Sequence, residues 1–333
     1  VINDHLKFLS RFQSVIALAL VLLGLSLASG SWDGIISFWR SFVALDSALD
    51  VLLQISINLC LSIGMTLIIL SGGIDLSVGS VLALAGAVAA GLFKNGIPLE
   101  FWGVSVEPTV LGAMVVGIAV GLALGWINGF LITRFRLPPF VATLGMLSVA
   151  RGLTMLWTKG ANIADLGEEF DFIGTAQVLR VPMPVWISLA LAAVFAVVTK
   201  RTCFGRYLYA VGGNERAAAH SGLDVDRIKW CAYALGGGLA AVAGLLLASK
   251  LNAATPNAGT GYELDSIGAV VIGGTSLSGG RGSIGGTLLG CLVIGILNKG
   301  LLLLRVSADW QMVVKGFVIW IAVAIDRVSR QED

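Results

Sequence analysis

Long apolar runs separated by short polar segments account for most of this chain, and few of the runs carry a polar stripe that would mark one face as wet. A helix that is apolar nearly all round is buried in lipid or inside a helix bundle. Crossing a hydrocarbon core of about 30 Å takes about 20 helical residues. The pattern predicts an all-α, polytopic membrane helix bundle of about ten spans, at 14–30, 50–70, 77–93, 110–132, 140–157, 184–199, 231–249, 264–276, 284–303 and 310–326. The eighth run is short for a full crossing and predicts a broken or re-entrant helix. With no soluble segment or long linker between the runs, residues 1–333 read as one transmembrane domain. Basic residues precede the first run, as in a signal peptide, but no small-residue cleavage site leads into a soluble domain, so that run reads as a first membrane helix.

The stretch LSGGIDLSVGS, Leu70 to Ser80, breaks the pattern with an aspartate, three serines and three glycines. Paired glycines end helices and let backbones approach, and Asp75 or Ser77 would cap the helix that follows. A charge in hydrocarbon costs about 2.5–3.5 kcal/mol on insertion scales, so Asp75 needs a cap, a partner or water. Two readings stay open: a cap that fixes packing, or the polar lining of a path. The motif has an echo, since GGIDLSVG from Gly72 and GGTSLSGG from Gly273 share GGxxLSxG, each between two apolar runs. Duplicated units with discontinuous helices at equivalent places are a transporter feature. Helix breaks are predicted near 71–77 and 273–283, with Asn58, Asp75, Ser77, Ser276 and Ser278 as candidates for a polar path. Asn128, Arg151, Lys299 and Lys315 read as interhelical hydrogen-bonding groups.

Charge placement orients the bundle. With the N-terminus inside, thirteen lysines and arginines (Lys7, Arg11, Arg134, Arg136, Lys200, Arg201, Arg206, Arg216, Arg227, Lys229, Arg281, Arg327 and Arg330) fall on the cytoplasmic side and six (Arg40, Lys94, Lys159, Arg180, Lys250 and Arg305) outside. The bias predicts a cytoplasmic N-terminus. The outer segment 158–183 then carries Asp165, Glu168, Glu169 and Asp171, and 200–229 is the longest inner loop. Within the inner loop, GGNERAAAHSG predicts a turn, Asn214 as N-cap and a short helix from Glu215 or Arg216.

Composition removes several classes of function. Mean hydropathy is +0.90, and 13% of residues are charged against about 25% in a soluble domain, which excludes a soluble enzyme. A net charge of +2 is too mild to point to nucleic acid. Cys60, Cys203, Cys231 and Cys291 lie far apart without a CxxC, so neither a disulfide framework nor a metal site is indicated. Leu277–Arg281, LSGGR, has the form of an ATP-binding-cassette signature, yet the chain holds no GxxxxGK to cradle phosphates. Any ATP hydrolysis is expected on a separate subunit. Neither His5 nor His220 is flanked by metal ligands, and no catalytic constellation such as GxSxG or HExxH occurs.

Four stretches, GMTLIILSGGIDLSVGSVLALAGAVAA, FVATLGMLSVARGLTM, GRYLYAVGGNERAAAHSG and GTGYELDSIGAVVIGGTSLSGGRGSIGGTLLG, resemble the permease subunits of bacterial ribose-type ABC sugar importers, in the same order along nearly the whole chain. The resemblance implies an inner-membrane permease that passes a monosaccharide, ribose or a related pentose, by alternating access. It implies a second permease copy, a cytoplasmic ABC ATPase that uses the ATP, a periplasmic sugar-binding protein that delivers the cargo, and no cofactor on this chain. It also implies that Gly213, Asn214, Glu215, Arg216, Ala217, Ala218 and Ala219 form the coupling helix that docks into the ATPase, where the residues alone also allow a solvated loop helix. The competing class is a proton-coupled secondary sugar transporter using Asp75. That class calls for a relay of membrane carboxylates, and only Asp75, Glu263 and Asp265 qualify. An intramembrane enzyme would need a nucleophile and base that the residues do not supply.

Overall fold

Each apolar run folds into a helix whose ends are set by the polar punctuation beside it. The computed structural model describes residues 13–28, 32–99, 104–106 and 108–330, so Lys7, Arg11 and His5 lie outside the described residues. In chain order the helices are α1 (Gln13–Ala28), α2 (Trp32–Val43), α3 (Leu45–Leu70), α4 (Val78–Asn95), α5 (Val110–Arg134), α6 (Pro139–Thr158), α7 (Glu168–Thr175), α8 (Met183–Arg201), α9 (Cys203–Gly213), α10 (Glu215–His220), α11 (Val225–Leu251), α12 (Tyr262–Ile272), α13 (Ile284–Leu303) and α14 (Ala308–Arg330). Two- and three-residue strands form three small antiparallel pairs: β1 (Ile97–Leu99) with β2 (Val104–Val106), β3 (Ile163–Ala164) with β6 (Ala253–Ala254), and β4 (Gln177–Val178) with β5 (Val181–Pro182).

Among the described residues, seven helices, α3, α4, α5, α6, α8, α11 and α13, are long and apolar enough to cross a membrane. The other three expected spans fall on α1, α12 and α14. Helix α12 has 11 residues, about 16 Å of rise, and reaches only partway through a hydrocarbon core. Among its described residues α1 has 16, and α14 carries Asp309, Lys315, Asp326, Arg327 and Arg330.

Burial sorts six of the seven into two layers, with α13, 56% buried, between them. The apolar windows of α3 and α11 are 78% buried and that of α4 is 72%, whereas α5, α6 and α8 are 28% buried and turn most of their surface outward. Small residues draw the outer helix α5 onto the inner helix α11. On α5, Gly117, Gly121, Gly125 and Gly129 recur every fourth residue and so share one face. A Cβ at Gly121 would stand 2.4 Å from the Gly237 carbonyl of α11, and one at Gly125 would stand 2.1 Å from that of Tyr233. Close backbone approach of this kind replaces the hydrophobic effect as the force that joins helices in lipid. The opposite face of α5 exposes Leu111, Val115, Leu122 and Trp126. Between α3 and α13, the buried hydroxyls of Thr66 and Thr287 meet at 2.7 Å.

Both segments expected as loops are folded. In 158–183, helix α7 seats Phe170, fully buried, against the end of α11. There the Ser249 hydroxyl donates to the Phe170 carbonyl and accepts from the Gly174 N–H, each at 2.7 Å. Glu168 and Glu169 remain exposed and Asp171 is half-buried. In 200–229, α8, α9, α10 and the first turn of α11 leave only residue 202, residue 214 and residues 221–224 outside helices.

Candidate functional site

The two predicted breaks occupy residues 71–77 and 273–283, between α3 and α4 and between α12 and α13. Their opening turns share one geometry. At the end of α3, Gly72 takes φ +81°, its N–H bonds the Ile69 carbonyl and the Gly73 N–H bonds that of Ile68; at the end of α12, Gly274 takes φ +82°, its N–H bonds Val271 and the Thr275 N–H bonds Val270. This is the Schellman motif, in which a left-handed glycine closes the last turn. The structure therefore equates Gly72 with Gly274, one residue off the alignment that matched Gly72 with Gly273. The closing turns differ too. In the second break Ser283, not Ser278, caps the next helix, accepting from the Gly286 N–H at 3.1 Å. Ser278 is exposed, whereas Ser276 is buried.

The expected side-chain cap on α4 is also absent: Ser77 sits at the N-cap position without such a bond. Instead Asp75 Oδ1 accepts from the Ser77 N–H at 2.7 Å and from its hydroxyl at 2.6 Å. Asn128 of α5 donates its Nδ2 to the same Ser77 hydroxyl at 3.0 Å. Asp75 is 1% exposed and Ser77 and Asn128 are fully buried, so this triad ties the first break to α5. Tyr233 of α11 closes the other side, its hydroxyl donating to the Ile74 carbonyl at 3.3 Å. An Asp75→Asn change keeps the oxygen that accepts both bonds from Ser77. We expect Asp75→Asn to stay within about 1 kcal/mol of the parent. Asp75→Leu should cost about 1–3 kcal/mol by stranding buried donors, and thermal melts of the purified variants measure both. Equal loss in both variants would contradict this geometry.

Helix α9 joins the two breaks. The Gly280 N–H donates to the carbonyl of Leu70, the last residue of α3, at 3.1 Å. The Tyr209 hydroxyl of α9 donates to the Gly282 carbonyl at 2.8 Å. Burial raises that hydroxyl above the usual phenol range, so it remains a donor at neutral pH. Gly212 fits where nothing larger can: a Cβ there would stand 1.8 Å from the Leu70 carbonyl oxygen and 2.6 Å from the Gly280 nitrogen. Three residues farther on, α10 begins.

Helix α10 has the predicted start and cap, with Asn214 Oδ1 accepting from the Ala217 N–H at 2.9 Å, while Gly213 belongs to α9. Ala218 is buried and faces the bundle. Glu215 pairs with Lys229 of α11 at 2.7 Å, so it is engaged within the chain. The outward surface consists of Gly213, Asn214, Glu215, Arg216, Ala217, Ala219 and His220.

At the opposite end of the bundle a cavity of about 430 Å³ opens between α3, α11, α12 and α13. Asn58 is its single lining residue from the five path candidates; Asp75, Ser77, Ser276 and Ser278 do not border it. About 18 Å of α3 separates Asn58 from the break at Leu70. This polar lining has a sequence signal beyond Asn58, because Asp50, Gln54 and Asn58 recur every fourth residue on α3 and form a polar stripe on an apolar helix. Lysines placed within spans find partners here: Lys299 pairs with Asp50 at 3.1 Å and Lys315 with Asp265 at 2.9 Å. Arg151 donates to the Pro256 and Ala258 carbonyls at 2.6 and 2.9 Å, holding the segment that leads into α12.

Helix breaks joined in pairs, a small exposed helix at one end and a polar cavity at the other are the parts of a permease. Residues 47–323 match the family described as branched-chain amino acid transport system / permease component. The chain belongs to this family. It is 42% identical over 324 residues to a ribose import permease protein of Haemophilus influenzae, covering 96% of this chain and 94% of the relative. A ribose import permease protein of Bacillus subtilis is 49% identical over 290 residues, 86% of each chain. A D-allose transport system permease protein of Escherichia coli is 39% identical over 289 residues, 86% of this chain and 85% of the relative. No solved structure matches the chain.

Proposed function

We propose that this chain is the membrane permease of an ATP-driven importer that moves a monosaccharide, ribose or a related pentose, by alternating access across a bacterial inner membrane. The observation that carries the reading is the likeness to ribose import permease proteins over almost the full length of both chains. The geometry supports it, because one contact point links the helix that precedes α10 to both breaks. Displacing α10 would then move α9, the end of α3 and the start of α13 together, as packed elements shift between discrete arrangements. A proton-coupled carrier is disfavoured: Asp75 is held in place by Ser77, and Asp50 and Asp265 are paired with lysines.

The finer assembly belongs to the same proposal. Ten elements enter the membrane, with α1 and α14 added to the seven long helices and α12 descending partway. The N-terminus and α10 are cytoplasmic, and 158–183 is outside. A separate ATPase docks on α10 through Asn214, Arg216 and the small Ala217 and Ala219, a periplasmic sugar-binding protein docks at the 158–183 end, and two permease copies pair. The chain itself hydrolyses no ATP and binds no cofactor. In a background without reactive thiols, cysteines at Asn214 and Ala161 should react with an impermeant reagent from opposite faces, and Arg216→Glu should reduce co-purified ATPase several-fold. Labelling of both sites from one face would overturn the topology, and ATP hydrolysis by the purified chain alone would overturn the division of labour.

A further inference from the structure

The cavity at the end opposite the breaks has a chemistry of its own. Two acids, Asp50 and Asp265, and two lysines, Lys250 and Lys299, border it, so its formal charge is balanced. Both acids are already engaged in ion pairs, Asp50 with Lys299 and Asp265 with Lys315. A phosphorylated sugar would bring about two negative charges to a lining where only Lys250 stands outside the described ion pairs, and a free amino acid's ammonium would have to compete for acids that already hold lysines. An uncharged ligand meets neither obstacle.

The remaining polar lining includes two amides on facing helices, Asn58 of α3 and Asn298 of α13. Asn298 is 8% exposed, and the side-chain oxygen of each amide is buried without a protein donor. Buried polar groups are ordinarily paired, and both unpaired oxygens belong to residues that line the cavity. Amides offer both donors and an acceptor, which suits hydroxyl groups that are themselves both. Tyr262, from α12, adds an aromatic wall, while Ile55, Leu247 and Ile294 supply apolar surface. A cavity of about 430 Å³ lies at the small end of ligand sites, which run about 300–1,000 Å³.

We propose that this cavity binds one uncharged polyol of monosaccharide size, with Asn58 and Asn298 hydrogen-bonding its hydroxyls, and that the permease thereby selects its cargo independently of the protein that delivers it. The inference rests on the transport reading above and adds a site to it. A site built to hydrogen-bond a hydroxyl discriminates strongly against analogues lacking it, because its polar groups are then left unpaired.

The test uses the full-length chain with Cys203 and Cys231, the two exposed cysteines, replaced by serine and with Leu251→Cys as a reporter at the cavity rim, where Leu251 is 51% exposed. The rate of maleimide labelling is followed in detergent with D-ribose, ribose 5-phosphate or L-leucine present. D-ribose should slow labelling several-fold and the two charged compounds should not. Adding Asn58→Ala or Asn298→Ala should abolish protection, with gel filtration and co-purification of the ATPase showing that the variants are folded. In the intact complex without the reporter, each asparagine variant should import ribose at least about tenfold more slowly, the ratio equivalent to one lost interaction of about 1.4 kcal/mol. Protection by ribose 5-phosphate or L-leucine in place of ribose would overturn the assignment of an uncharged ligand. Absence of protection by ribose, or folded asparagine variants that import at the parent rate, would overturn the site while leaving the importer reading intact. An intact parent complex that imports no monosaccharide would instead overturn the reading on which the site depends.

Discussion

Replacing Gly212 with valine is expected to leave the chain folded and able to hold its ATPase, yet to reduce ATP-driven uptake by about ten- to a hundredfold. The reason is steric and local. A Cβ at Gly212 would overlap the Leu70 carbonyl oxygen at 1.8 Å and approach the Gly280 nitrogen at 2.6 Å, and both are backbone atoms that cannot rotate away. The hydrogen bond from the Gly280 N–H to Leu70 passes through the same spot, so the added carbon parts the two breaks where they meet. Overpacking of this kind costs about 1–3 kcal/mol, and each 1.36 kcal/mol is about tenfold in rate when it falls on the step that moves. The neighbouring Gly213 has open space around its missing Cβ, so Gly213→Ala should transport like the parent. Uptake with reconstituted ATPase and binding protein, compared with ATPase retained on the permease, separates lost coupling from lost assembly. Parent-level uptake by Gly212→Val would show that the junction transmits nothing.

Gly125→Val should have the larger structural effect and yield little folded protein, because it parts two long helices along their contact, whereas Gly212 meets one helix end and a turn. Gly125 packs where α5 crosses α11, and a Cβ there would meet the Tyr233 carbonyl oxygen at 2.1 Å, its carbon at 2.9 Å and the Ala234 Cα at 3.1 Å. No side chain can swing aside to relieve these contacts, so the helices must separate along the stripe that includes Gly121. Tyr233 also holds the Ile74 carbonyl of the first break, so the damage spreads toward Asp75 and Ser77. Gly152 on α6 is exposed, with nothing near its missing Cβ, and Gly152→Val should insert and melt close to the parent. Fluorescence-detected gel filtration and thermal melts measure both variants. A Gly125→Val protein that melts with the parent would contradict the close α5–α11 contact.

Much of the helical plan was legible because lipid-length apolar runs and Gly/Ser interruptions are strong local signals. The bounds 71–77 and 273–283 were readable from the paired glycines, and Asn214 was readable as a cap because its side chain acts on its own neighbourhood. Properties that depend on a partner far along the chain were not readable. The motif echo placed Gly72 against Gly273, whereas the folded turns equate Gly72 with Gly274, since the left-handed residue is set by where the helix ends and not by which letters match. Ser278 matched Ser77 in letters, yet the second break runs four residues longer, and Ser283 takes the capping role. Likewise Tyr209 looked like one aromatic in an inner loop, and only the fold brings it to Gly282. The stripe Asp50, Gln54, Asn58 was a periodic signal in plain view, and its companions Lys250, Tyr262 and Asn298 come from three other helices.

The most direct test of the account is uptake of radiolabelled D-ribose into proteoliposomes holding this chain and its ATPase, with the sugar-binding protein added on the face that carries 158–183. The account predicts accumulation that requires ATP on the α10 face and the binding protein on the other, and that is unchanged when a protonophore collapses the pH gradient. Accumulation driven by a proton gradient in liposomes lacking the ATPase would contradict it.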